Sequence, residues 1–168
     1  MKAEFEGVAS VFLRKDQDLC FSLKNPLSDF ETREKIVFNP AVTVEQEEGA
    51  RQDPHHFRLR WEGAKKASML EVLSDSAAKA ALKKKKSKDV PRDLTEDDSS
   101  RWVPILAMEC RGLEPYAYHP GNEFVVTSTG GVTFNEDVDL SEGDWADYDA
   151  ENDASVSLSE IEFKVEAI

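Results

Sequence analysis

The apolar runs in this chain are short, and nearly every one is cut off by glycine, proline, asparagine or a cluster of charges. Leu19-Cys20-Phe21-Ser22-Leu23 ends at Asn25-Pro26, and Ile36-Val37-Phe38 ends at Asn39-Pro40. Phe124-Val125-Val126-Thr127 ends at Ser128-Thr129-Gly130-Gly131, with Val132-Thr133-Phe134 as the return. A helix needs ten or so residues of three-to-four periodicity, which such runs do not supply; β-branched and aromatic residues between turn formers read as strands. In His56-Phe57-Arg58-Leu59-Arg60-Trp61 the alternation puts Phe57, Leu59 and Trp61 on one face, and Ala67 to Leu73 returns the chain as a hairpin. The fold class expected is therefore all-β: two small β-sheet units, sandwich- or barrel-like, sharing an interface, with at most one short helix.

Taken in order, residues 3–13 read as one strand with a bulge at Gly7, forming an opening hairpin with 19–23. Ala41 to Val44 reads as a further short strand, and Glu45 to Pro54 as a charged surface loop. Met108 to Pro115 reads as a strand stopped by Gly112 and Pro115 with a loop after it. Asp137 to Asp149 reads as an acidic turn carrying Trp145 and Tyr148, and Val156 to Val165 as the closing strands. Residues 74–101 differ in kind. Ser74 or Ser76 caps a short helix through Leu82, a lysine run follows at Lys83–Lys88, and the chain then turns acidic around Pro91. This segment reads as a mobile charged insert between an N-terminal unit, 1–73, and a C-terminal unit, 102–168. The lysine run is read as solvated, against a nuclear import signal or a patch for polyanions.

Composition narrows the partners. The 168 residues are 40% hydrophobic and 33% charged, with a formal net charge of −13. Such a surface repels nucleic acid and anionic membrane, so neither is an expected partner. No run approaches the ~20 apolar residues of a membrane span, and the first residues lack the apolar core of a signal peptide. Cys20 and Cys110 are the two cysteines, which points to a reduced, cytoplasmic setting rather than a disulfide framework.

Few residues suggest chemistry. Cys110 with His119 as base would be a nucleophile only if something oriented both; a buried strand cysteine is the simpler reading. Asp137-x-Asp139-x-Ser141 begins like a calcium loop, but Glu142 stands where glycine is required and Tyr148 where the bidentate glutamate is required. Arg111 is expected to pair with carboxylates of the acidic turn, and Gly112 to supply a special backbone angle. Asp144 and Asp147 are expected to satisfy backbone amides or Arg111, with Trp145 and Tyr148 turned inward. His55 or His56 with Cys20 and Asp29 could assemble a mixed-ligand metal site, against the simpler reading of surface or capping histidines.

Two stretches carry a resemblance. Glu109-Cys110-Arg111-Gly112-Leu113-Glu114-Pro115, followed by Asp139-Leu140-Ser141-Glu142-Gly143-Asp144-Trp145-Ala146-Asp147-Tyr148-Asp149, is similar to the eukaryotic CXXC-motif-containing zinc-binding protein family. Lys2-Ala3-Glu4-Phe5-Glu6 and Ala67 to Val72 extend the likeness over most of the chain outside the insert. The resemblance implies an all-β protein with structural zinc held by two CxxC pairs. Those pairs would fall at Pro26 and Asp29 and at Trp61 and Ala64, where this chain has no cysteine. A four-thiolate zinc site is therefore not expected, nor any other cofactor, and Trp61 reads as packing in place of metal. The expected function is that of a non-enzymatic intracellular protein, a monomer, acting through contacts with an unidentified protein partner. The alternative is a protein that binds or handles zinc or another transition metal.

Overall fold

The computed structural model describes residues 1–46, 48–49 and 53–168, so the loop expected over 45–54 lies partly outside the described residues. Among the described residues thirteen strands run in chain order. They are β1 (Lys2–Glu6), β2 (Val8–Leu13), β3 (Leu19–Lys24), β4 (Thr32–Phe38), β5 (Phe57–Leu59), β6 (Ser68–Val72), β7 (Leu94–Thr95), β8 (Met108–Arg111), β9 (Glu114–His119), β10 (Phe124–Ser128), β11 (Thr133–Phe134), β12 (Trp145–Asp149) and β13 (Ala154–Glu162). The α-helix α1 (Asp75–Lys84) interrupts them. The fold is mostly β, in small antiparallel sheets ordered β1-β13-β12, β11-β10-β2-β7, β4-β3-β9 and β5-β6-β8 among the described residues.

Gly7 divides what the sequence suggests is one strand. Its φ is 64°, and a Cβ at this position would sit 2.5 Å from the Ser155 carbonyl oxygen. Only glycine takes that conformation without strain at so close an approach. The chain turns there, and β1 joins β13 while β2 joins β10 and β7. The expected opening hairpin is therefore not formed: β3 pairs instead with β4 and β9. The β5–β6 hairpin does form, with Phe57 opposite Leu70.

Every sheet takes strands from both ends of the chain, so the halves 1–73 and 102–168 interlock. Lys2 lies opposite Glu162, Val11 opposite Val126, Phe21 opposite Tyr118 and Leu70 opposite Cys110. One buried cluster runs through all of them, from Met1 and Leu19 to Leu70, Phe124 and Leu158. Residues 41–44 are not a strand. Residues 114–119, expected as loop, are the edge strand β9, because Pro115 sits opposite Leu23 at a register shift where the ladder needs no regular donor. The acidic stretch 145–149, expected as a turn, is the edge strand β12, paired with β13 from Trp145↔Leu158 to Asp149↔Ala154.

The insert is only partly what its charge suggests. Ser74 accepts from the Ala77 amide at 3.3 Å and caps α1, which buries Ala78 and Leu82. Beyond the lysines, Leu94 is 1% exposed and pairs with Val11. Asp98, also buried, takes both Arg92 guanidinium nitrogens at 2.6 and 2.8 Å and the Thr95 amide at 2.8 Å. Ser99 accepts from the Phe5 amide, and Ser100 donates to the Ala3 carbonyl. Residues 92–100 thus form part of the sheet packing. A count of apolar residues misses this, because one leucine and a neutralised ion pair are enough to seat the segment.

Candidate functional site

The loop that joins β3 to β4 and the turn that joins β5 to β6 hold the four positions at which the resemblance would place cysteines. The first loop is built on Asn25. Its amide donates to the Glu31 carbonyl at 2.9 Å, its carbonyl accepts from the Ser28 amide at 3.2 Å, and its Oδ1 accepts from the Leu27 amide at 3.0 Å. Asparagine before proline favours this kind of side-chain-closed turn. The second is a tight turn in which the Ala64 amide donates to the Trp61 carbonyl at 3.1 Å.

The two turns meet through side chains. Glu31 accepts from Asn25 Nδ2 at 2.9 Å with one carboxylate oxygen and from the Glu62 amide at 3.0 Å with the other. Those bonds, first the one from Asn25 and then the one from the Glu62 amide, hold its carboxyl below the ordinary value. Arg33 lies 3.8 Å from Glu31 and places its guanidinium 5.2 Å from the centre of the Trp61 ring. Trp61 is buried and donates from Nε1 to the Gly112 carbonyl at 2.7 Å.

Gly112 belongs to the Glu109–Pro115 motif, which therefore backs directly onto the second turn. Its φ is 73°, and a Cβ would come 2.5 Å from Ser68 Oγ, which also donates to the Gly112 carbonyl at 2.8 Å. Cys110 is half-buried opposite Leu70, and burial, reinforced by Glu109 and Glu114, pushes its thiol up to about 11. Such a thiol is not a reactive one at neutral pH. Leu113 is fully buried, Pro115 is half-buried, and Glu114 reaches Lys24 across the strands at 3.2 Å.

Arg111 does not reach the acidic turn. It is exposed on β8 and pairs with Glu109 at 2.9 Å and Asp53 at 3.1 Å. The motif that was to supply its partners lies on β12, in a different sheet. On β12, Trp145 is buried, edge-on to Phe134 with ring centres 5.4 Å apart, but Tyr148 is 50% exposed. Residues three apart on a strand face opposite ways, so the two aromatics cannot both point inward. Asp144 and Asp147 are exposed, and Asp147 accepts from the Tyr148 amide at 2.6 Å. The structural carboxylate of this motif is Asp149, fully buried, which accepts from Ser128 Oγ at 2.8 Å and from Asn152 at 3.0 and 2.8 Å.

The candidate nucleophile, base and mixed-site ligands are dispersed. His119 lies opposite Cys20, and its Nε2 is 2.7 Å from Ser22 Oγ, while Cys110 is on β8. His56 Nδ1 accepts from the Val72 amide at 2.8 Å, and His55 is buried beside Asp53. Among the described residues no three His, Cys, Asp or Glu side chains converge as metal ligands. At the four family positions the side chains are Pro26 and Asp29, both exposed, buried Trp61 and half-buried Ala64. A single carboxylate among them does not fit a four-coordinate zinc. A cleft of about 340 Å³ lies beside the first loop, lined among others by Lys24, Pro26, Asp29, Glu114 and Tyr116. Sequence reasoning missed Glu31 and Arg33, whose roles depend on two turns far apart in the chain and leave no local signal.

Known proteins share the fold and parts of the sequence. A fruit fly protein, UPF0587 protein CG4646, is 41% identical over 70 residues, 42% of this chain and 43% of its own length. The rat CXXC motif containing zinc binding protein is 35% identical over 65 residues, 39% of this chain and 41% of its own length. These matches thus span less than half of either relative. A solved structure described as a hypothetical protein from Plasmodium falciparum superposes with a TM-score of 0.78 at 26% identity, over 95% of this chain and 91% of that one. The crystal structure of C1orf123 has the same fold, with a TM-score of 0.76 at 21% identity over the same shares. The model of the eukaryotic family described as CXXC motif containing zinc binding protein matches residues 1–166. With that match over nearly its whole length, this chain belongs to the eukaryotic CXXC motif containing zinc binding protein family, in a form that lacks the cysteines for which the family is named.

Proposed function

We propose that this protein is a non-enzymatic, monomeric, cytoplasmic member of its family that works without zinc, through a protein partner held at the loop 25–31. One observation carries the reading. Leu27 and Phe30 are 93% and 91% exposed at the tip of a loop whose ends are tied down by Asn25 and Glu31. Large apolar side chains held in water on an anchored loop gain most of their burial energy from a partner rather than from the fold. The adjoining cleft, with Tyr116 on its wall, offers room for side chains of that partner. The net charge of −13 favours a protein partner over nucleic acid or anionic lipid.

The test is a pair of variants, Leu27→Ser and Phe30→Ser, alone and together. Both side chains are outside the core, so the melting temperature is expected to stay within about 1–2 °C of wild type. Proteins captured specifically by the wild-type chain from its own cells are expected to be lost by the double variant. Equal capture by both proteins would refute a docking role for this loop.

A further inference from the structure

We propose that Glu31 is the clasp between the loop 25–31 and the turn 61–64, joining by hydrogen bonds the two turns that the family pattern joins by metal. The inference stands apart from the docking role above, because it concerns only how the turns are held.

The side chains show a division of labour. Each Glu31 carboxylate oxygen serves one turn: Oε2 takes Asn25 Nδ2 at 2.9 Å and Oε1 takes the Glu62 amide at 3.0 Å. Asn25 is the residue that closes the first turn, and Glu62 is the first residue inside the second, between Trp61 and the Ala64 amide that closes it. A single carboxylate thus engages the organising element of each turn. Arg33, two residues on, supplies the positive charge that a metal would bring. It lies 3.8 Å from Glu31 and stacks its guanidinium on Trp61. Trp61 in turn is bonded through Nε1 to Gly112. The chain Asn25–Glu31–Arg33–Trp61–Gly112 therefore runs from the first turn through the second to the Glu109–Pro115 motif.

Both Glu31 oxygens accept protein hydrogen bonds, one from each turn, so the carboxylate joins the turns through the chain's own donors. A glutamate with two donors from different turns also explains why Trp61 and Ala64 are tolerated at positions that offer no ligand.

Hydrogen exchange at the Glu62 amide, followed by NMR in the full chain, reads the clasp directly. Glu31→Ala removes the acceptor, and exchange at Glu62 is expected to quicken by about tenfold or more, while amides of β3 and β10 keep their protection. Glu31→Gln retains one acceptor oxygen and is expected to fall between wild type and Glu31→Ala. If Glu31→Ala unfolds the chain, the glutamine variant carries the measurement. A chelator added to the wild-type protein is expected to leave Glu62 exchange and the melting temperature unchanged. Unaltered Glu62 exchange in both variants would overturn the proposal. So would acceleration of that exchange by chelator, because the turns would then be held by metal.

Discussion

Trp61 and Trp145 are both buried, yet they hold different things. Trp61 has its ring under Arg33 and its Nε1 on the Gly112 carbonyl, so it serves as packing and as donor at once. Trp61→Ala is expected to cost about 3–5 kcal/mol by cavity formation. Trp61→Phe is expected to cost about 1 kcal/mol, since Ser68 still donates to that carbonyl. Urea melts of the two variants check both values, and equal losses would show that the ring contributes little. On β12 a second contrast isolates the family's acidic motif. Trp145→Ala, against Phe134, is expected to lose about 3–5 kcal/mol. Tyr148→Ala, half exposed on the other face, is expected to change stability by less than about 0.5 kcal/mol. If thermal melts ranked the two alike, the strand would not face as described.

The segment 74–101 behaves as two elements. Helix α1 and the lysine run carry only Ala78 and Leu82 inward, whereas residues 92–100 are seated by Leu94 and by the Arg92–Asp98 pair. Replacing 75–88 with a Gly/Ser linker of sufficient reach is expected to leave the fold cooperative, with a modest loss of melting temperature. Leu94→Ala is expected to cost about 2–5 kcal/mol, as for other buried leucines. The same pair gives a pH signature. Arg92 holds the Asp98 carboxyl far below its usual range, against the opposing effect of burial. A carboxyl depressed in the fold stabilises it at pH above the unfolded value, near 4, and that contribution fades as pH falls further. The melting temperature of Asp98→Asn is therefore expected to lie below wild type at neutral pH. The gap should close as pH drops from about 5 toward 2; a constant gap would mean that the aspartate's charge is not what stabilises it.

Across the whole molecule, sheet membership ignores sequence distance. β1 finds its partner in β13, β3 in β9 and β6 in β8. Fragments 1–73 and 102–168 expressed apart are expected to be unfolded by circular dichroism, because each contributes strands whose neighbours lie in the other. Mixing them is expected to restore β signal only if the register re-forms. Independent folding of either fragment would contradict the interlocked core.

Local chemistry was legible from the sequence because it is local. Asn25-Pro26, Asn39-Pro40 and Gly130-Gly131 dictate where strands stop through backbone angles and missing donors, whatever surrounds them. Two-residue alternation marks the β5–β6 hairpin, and two cysteines are too few for a four-thiolate site. Ser74 announced its helix for the same reason. What the tertiary structure alone decided is who pairs with whom. An edge strand such as β9 or β12 takes its hydrogen bonds from residues far away in sequence, so a proline or a run of aspartates in it still looks like loop. Arg111 pairs with Glu109 and Asp53 rather than with the acidic motif on the same account: its partners are set by a register that no spacing reveals. Glu31 is the clearest case. Nothing in Asp29-Phe30-Glu31-Thr32 marks it, and it acquires a role only when folding brings the Glu62 amide 3.0 Å from its carboxylate.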